Sequence, residues 1–403
     1  MARRQRIEPE SNPVVIVGPC RTPIGKFQGR LAEIPAPRLG AVVVTEVLKR
    51  TGLKPEMVDE LIMGNVLSAG LGQNPARQVG IFAGLPVEVG SFSVNKVCGS
   101  GLKAIMLGAQ SIRAGDSEVV IAGGMENMSA VPYYLPKARN GLRMGHDRVI
   151  DGMIHDGLWD AYYDIHMGET GDIVAEKFGI SRADQDEFAL RSHQRALKAI
   201  EQGRFKDEIV PVEIPSRKGE TVVFDTDEGP RADTTIEGLA RLRPYFKSDG
   251  TVTAGNSSQI NDAASAMALM REDKAKELGL EVMGRILGYG TCGVEPTMVM
   301  IAPVPTTRLL MEQLDLKIKD LGLVELNEAF SSQPLAVSKE LGLDQNKLNV
   351  HGGAVALGHP IGATGARLTT TLLHLMKQRR VRRGLVTMCL GGGNGVAMVL
   401  ERL

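Results

Sequence analysis

The sequence predicts a layered α/β fold built from two copies of one unit. Three observations carry that expectation. Short apolar, β-branched runs alternate with helical patterns. Four landmarks recur in the same order roughly 260–270 residues apart. The stretch between the two copies differs in composition from both.

In the first copy, residues 13–18 form an apolar, β-branched run closed by Gly18, a strand. A helix is expected around residues 39–49, then a helix end running into a strand over 58–65 that finishes at Asn65. Cys98-Gly-Ser-Gly101 opens a glycine-rich helix, and residues 118–124 form a buried strand. In the second copy Pro305 starts a helix, and residues 323–327 form a strand that again ends in Asn. Gly362-Ala-Thr-Gly365 matches the helix start after Cys98, and residues 384–392 match 118–124. Four landmarks in register argue against chance similarity between glycine-rich turns.

Residues 128 to about 250 hold most of the aromatic side chains, Tyr133, Trp159, Tyr163 and Tyr245 among them. Ser181 followed by Asp184 is a capping start for a helix. This region reads as an insertion covering a site that the two copies build. The expected division is residues 1–127 plus 255–281 as the N-terminal unit, 128–254 as an inserted loop domain, and 282–403 as the C-terminal unit.

Forty-seven basic side chains balance 47 acidic ones in 403 residues, which argues against a nucleic-acid binder or a membrane-surface protein. Cys20, Cys98, Cys292 and Cys389 stand far apart, with no paired or metal-ligand spacing. The start is basic, but Glu8, Pro9 and Glu10 stand where a secretory signal needs apolar residues. No apolar run approaches membrane-spanning length. A cytoplasmic protein without a metal site is expected.

Four segments can carry chemistry. Cys98 stands at a helix start, where unpaired N–H groups and the helix dipole lower a thiol pKa. Its flanking glycines would let another molecule approach the backbone. The alternative is a small buried apolar cysteine. His359 lies in a glycine-dense turn before a helix, open to use as a base or to a structural role. Cys389, at a strand end facing Gly391-Gly-Gly393, could serve as acid and base beside oxyanion donors, or belong to the core. Asn327-Glu328 can hold a water or polarise a carbonyl, or can be turn chemistry.

Together these segments resemble the thiolases, coenzyme A-dependent enzymes that make or cleave 3-oxoacyl thioesters. The opening Arg21-Thr-Pro-Ile-Gly-Lys-Phe27 and the block Thr251-Val-Thr-Ala-Gly-Asn-Ser-Ser258 add to the match, which covers essentially the whole chain. The resemblance implies the thiolase fold: two duplicated βαβαβαββ units in five αβαβα layers, with an inserted loop domain. It makes Cys98 the acyl-carrying nucleophile, His359 its base and Cys389 the second acid/base. Asn327, through a water, and His359 would bind the enolate oxygen. The N–H groups of Cys98 and Gly391 would cradle the thioester oxygen. Coenzyme A contacts would include Leu158, His166, Met167, Arg231, Phe246, Ser258 and Phe330. Gly238, where many relatives have serine, and Gln259, where many have glycine, depart from the pattern. No tightly bound cofactor is implied, only coenzyme A thioesters as substrates.

Within the family, the lead into Cys98, the segment through His166 and the run after Cys389 lean toward the biosynthetic class, which joins two acetyl-CoA into acetoacetyl-CoA. Trp159, Met167 and Leu158 would narrow an acyl pocket if they point inward. The alternatives are a degradative 3-oxoacyl-CoA thiolase and, more remotely, a non-catalytic acyl-CoA or lipid-binding relative. Ketoacyl synthases, with two histidines beside the cysteine, fit less well. The resemblance also implies a homodimer paired into a homotetramer, with residues 128–144 as a tetramer contact.

Overall fold

The first copy runs β1 (Val14–Arg21), α1 (Ala36–Thr51), β2 (Glu60–Gly64), α2 (Pro75–Phe82), β3 (Gly90–Val94), α3 (Ser100–Ala114) and β4 (Val119–Asn127). After the insertion, which holds α4 (Met167–Phe178) and α5 (Arg182–Glu201), it closes with β5 (Asn261–Arg271). The second copy runs β6 (Val282–Gly293), α6 (Pro303–Leu314), β7 (Leu323–Leu326), α7 (Ser332–Leu341), α8 (Ile361–Arg379), β8 (Arg383–Leu390) and β9 (Asn394–Glu401). Its counterpart of β3 is a single bridge between Leu348 and Val324. The computed structural model describes residues 6–215 and 220–403. The basic start over residues 1–5 lies outside them.

The first copy's strands lie in the order β3-β2-β4-β5-β1, and the second copy's in the mirrored order β6-β9-β8-β7. The two first strands, β1 and β6, pair antiparallel and join the halves into one path. Helices α3 and α8 pack on each other between the halves, α1 and α2 cover one outer face, and α6 and α7 lie on the other. These are the five expected layers, built from two copies of one unit.

A strand covered on both faces has no need to alternate polar and apolar residues. On β1, Val15 and Val17 pack with Leu39 and Val43 of α1, while Val14 and Ile16 pack with Leu102 of α3 and Leu368 of α8. Every residue of α8 from Ile361 to Met376 is buried, as expected for a helix enclosed on all sides.

The glycines at the two matched helix starts serve this middle layer. A Cβ on Gly101 would come within 2.9 Å of the Ala366 backbone N, and one on Gly365 within 2.4 Å of the Leu102 backbone N. A Cβ on Gly99 would meet Leu390 at 2.3 Å. The glycines beside Cys98 therefore admit the chain's own helix and strand, not another molecule. That corrects the expectation drawn from sequence.

The insertion is held to the core by a buried ion cluster. Arg21 at the end of β1 donates from Nη1 and Nη2 to both carboxylate oxygens of Asp227, at 2.8 and 2.9 Å. Its Nε donates to Glu208 at 2.6 Å. A bidentate guanidinium–carboxylate pair fixes direction as well as distance. Helix α5 starts as the sequence indicates: Ser181 accepts from the Asp184 N–H while the Asp184 side chain returns to the Ser181 N–H.

Candidate active site

Each catalytic candidate stands at the end of an element that the close helix packing brings inward. Cys98 precedes α3, His359 precedes α8, Asn327 follows β7, and Cys389 is the second-to-last residue of β8. Cys98, His359, Cys389 and Gly391 line one narrow pocket of ≈ 50 Å³, together with Leu158, Met167, Ser258 and Phe330. Each copy supplies part of the wall, and the insertion supplies Leu158 and Met167.

Val97, next to Cys98, has φ +47°, a left-handed conformation that a β-branched residue adopts at a cost of about 1–3 kcal/mol. The turn presents Cys98 ahead of the helix, partly open to the space. The backbone N–H groups of Gly391 and of Cys98 itself point at the Cys98 sulfur. They lower its pKa, but burial outweighs them and pushes the thiol up to about 11. The expectation that the helix start leaves this thiol acidic is thus not met in the free protein. Removing the sulfur from water costs the thiolate more than two N–H groups return. Burial also raises the Cys389 thiol, and the nearby Cys98 adds to the rise.

His359 is buried, and its backbone N–H donates to Asn261 Oδ1 at 2.9 Å. Its Nδ1 lies 2.7 Å from Thr364 Oγ1, whose own proton goes to the Pro360 carbonyl at 2.8 Å. A hydroxyl that donates elsewhere can only accept from the ring, so Nδ1 carries the hydrogen and Nε2 presents a lone pair. Asn327 Nδ2 lies 3.4 Å from that Nε2. Burial, with the nearby Arg367 charge adding to it, holds the imidazole neutral with its pKa near 3.

Asn327 and Glu328 part company. Asn327 faces His359, and its Oδ1 is buried without a hydrogen-bond partner among the described residues. Glu328 turns away and accepts from Asn349 Nδ2, Ser192 Oγ and the Val355 N–H. Only Asn327 reaches the candidate site, and Glu328 holds the surrounding loops.

The predicted coenzyme A contacts divide into two groups. Phe330, in the wall of that pocket, meets Phe246 edge-on at 6.0 Å, and Phe246 stacks on His166 at 4.5 Å. His166 caps α4 by accepting the Gly168 N–H at Nδ1, which leaves Nε2–H free to donate. Burial lowers the His166 pKa. Arg231 does not join this group. It is exposed and lines a separate hollow of ≈ 200 Å³ with His193, Gly238 and Gln259. Both departures from the family pattern therefore line Arg231's hollow and not the space around Cys98.

Sequence reading missed Thr364, Asn261 and Met300. Thr364 was legible in principle, because it lies in the first turn of α8, directly after His359. Met300, whose Sδ receives the Cys389 S–H at 3.9 Å, carries no local signal. Among the described residues, no cluster of metal-ligating side chains occurs, and no helix is long and apolar enough to cross a membrane.

Residues 14–273 match the thiolase N-terminal domain and residues 280–402 the thiolase C-terminal domain. An acetyl-CoA acetyltransferase of Pseudomonas aeruginosa is 57% identical over 96% of this chain and 99% of its own length. One from Cupriavidus necator is 53% identical over the same shares. The crystal structure of the Bacillus anthracis acetyl-CoA acetyltransferase superposes with a TM-score of 0.95 at 46% identity, covering 97% of this chain and 99% of that one. The chain belongs to the thiolase family.

Proposed function

We propose that the protein is an acetyl-CoA C-acetyltransferase that reversibly joins two acetyl-CoA molecules into acetoacetyl-CoA and coenzyme A. The observation that carries this reading is the single small space shared by Cys98, His359, Cys389 and Gly391. At ≈ 50 Å³ it has room for about three or four water-sized atoms, which suits an acetyl group and not a long chain. The names of the relatives point the same way.

His359 Nε2 takes the Cys98 proton as the sulfur attacks the acetyl carbonyl. The new sulfur–carbon bond forms, the coenzyme A sulfur leaves with the proton of the Cys389 thiol, and His359 keeps at Nε2 the proton it took from Cys98. The N–H groups of Cys98 and Gly391 receive the negative oxygen during attack. The Cys389 thiolate left by that transfer then removes an α-proton from a second acetyl-CoA. The enolate oxygen is held by His359 and by a water on Asn327. Its carbon attacks acetyl-Cys98, the carbon–carbon bond forms, the bond from the acyl carbon to the Cys98 sulfur breaks, and His359 returns its proton to that sulfur. Every proton and electron pair has a place among these side chains and the two thioesters, so no resident cofactor is required.

The coenzyme A arm runs past Phe330, Phe246 and His166, whose free Nε2–H suits an amide carbonyl. The adenine end lies toward Arg231. Residues 128–254 thus act as a recognition unit set on two catalytic units, 1–127 plus 255–281 and 282–403. Four unpaired thiols favour a reducing compartment such as the cytoplasm. The edge strand β3, with Phe92 exposed, suits pairing with a second copy. The exposed Tyr133, Leu135, Leu142 and Met144 suit pairing of dimers into a tetramer.

Intact-protein mass spectrometry after mixing with acetyl-CoA should find an acetyl adduct on Cys98 that is absent in Cys98→Ala. In the cleavage direction, acetoacetyl-CoA should turn over much faster than 3-oxopalmitoyl-CoA. A reversed preference overturns the acetyl assignment and leaves a degradative thiolase.

A further inference from the structure

We infer that Met300 sets the acyl chain length this enzyme accepts, by forming the wall of the acyl space beside Cys389. The inference rests on the acetyltransferase reading and names a residue that reading does not use.

Met300 lies in a short 3₁₀ segment, Pro296–Ile301, that is kinked at Met298 and runs directly into α6. Its side chain is buried in an apolar cluster with Met167, Val252, Phe330 and Cys389. It also lines the narrow pocket that holds Cys98. The thioether sulfur lies 3.9 Å from the Cys389 sulfur and accepts its S–H. That contact places the end of the Met300 side chain against one of the two reacting thiols. An acyl group on Cys98 grows within the same ≈ 50 Å³. Any carbon beyond the acetyl methyl must displace part of the wall.

Of the side chains lining the space, Met300 combines greatest length with direct contact to the chemistry. Val299 is shorter, and Ile361 is fixed in the first turn of α8. Leu158 and Met167 come from the insertion, on the side assigned to the coenzyme A arm. Met300 is unbranched, so truncation to alanine removes three heavy atoms and leaves the backbone undisturbed. The vacated volume adjoins the acyl methyl. Pockets of this kind discriminate by about 10–200-fold per methylene.

The test compares wild type, Met300→Ala and Met300→Leu in the cleavage direction, with acetoacetyl-CoA and 3-oxohexanoyl-CoA. The kcat/KM ratio of the longer to the shorter substrate should rise roughly ten-fold or more in Met300→Ala. It should stay within about three-fold of wild type in Met300→Leu, which keeps the volume without the sulfur. If Met300→Ala does not fold, Met300→Val is read in the same way, alongside the extent of butyryl transfer from butyryl-CoA to Cys98 by intact mass. An unchanged ratio in an active truncated enzyme overturns the assignment to Met300. A loss of chain-length preference in Met300→Leu equal to that in Met300→Ala also overturns it. Wild type inert toward acetoacetyl-CoA overturns the acetyltransferase reading itself, a result recognisable without any variant.

Discussion

Thr364 Oγ1 lies 2.7 Å from His359 Nδ1 and commits its own hydrogen to the Pro360 carbonyl one helical turn back. The hydroxyl thereby selects one imidazole tautomer. The proposed base therefore carries its lone pair at Nε2, and the ring cannot swing away without losing a bond inside a closed interior. Replacing Thr364 by valine keeps the shape and removes the acceptor. Leaving a buried N–H unpaired costs about 1–3 kcal/mol. Thr364→Val should therefore lower kcat/KM for acetoacetyl-CoA by roughly 10–100-fold, with acylation of Cys98 slowed. Thr364→Ser should recover most of the loss. Steady-state and single-turnover kinetics check this, and equal defects in valine and serine variants refute the tautomer argument.

The thiol of Cys98 is held protonated by burial, with its pKa near 11, while His359 is held neutral with its pKa near 3. The resting pair is thus thiol and imidazole, and the proton moves only as the thioester arrives. For the free enzyme the sign follows directly. Below the thiol pKa the thiolate fraction grows tenfold per pH unit, so alkylation of Cys98 by iodoacetamide should climb through pH 6–9 without levelling. A plateau beginning near pH 6 would show a preformed thiolate–imidazolium pair instead. The measurement is the pH dependence of the pseudo-first-order alkylation rate, followed by mass on Cys98.

Gly365 stands where α8 and α3 touch, with the Leu102 backbone N 2.4 Å from where its Cβ would be. Neither backbone can yield as a flexible side chain would. Gly365→Ala should push the helices apart, lowering stability by about 1–3 kcal/mol. His359 would shift away from Cys98, so activity should fall more than the folded fraction does. Thermal melting and kcat measured on the same sample separate the two effects. A variant with normal melting and normal kcat would mean that the middle layer tolerates the added carbon.

The duplicated α/β order was legible because burial on both faces leaves continuous apolar strands and because close helix contact demands glycine. Residues 13–18 and 362–365 show both signs plainly. Ser181 and Asp184 announced α5 through local capping chemistry, which needs nothing beyond four consecutive residues. The identity of the candidate site residues was also open to sequence reading. Each lies in a short motif at an element end.

Tertiary structure alone decided how those residues stand to one another. Cys98 and His359 are 261 positions apart in sequence, and only the contact between α3 and α8 brings them to one space. The same packing raises the Cys98 pKa that an isolated helix start would lower, since desolvation depends on what closes over the sulfur. It also sends Glu328 away from Asn327 and sets Arg231 in a different hollow. Met300 reaches Cys389 across 89 positions with no periodicity to announce it. Motifs at element ends can be read from residue order, because local backbone chemistry shapes them. The volume, polarity and proton positions between them arise from distant segments, and those exist only once the layers close.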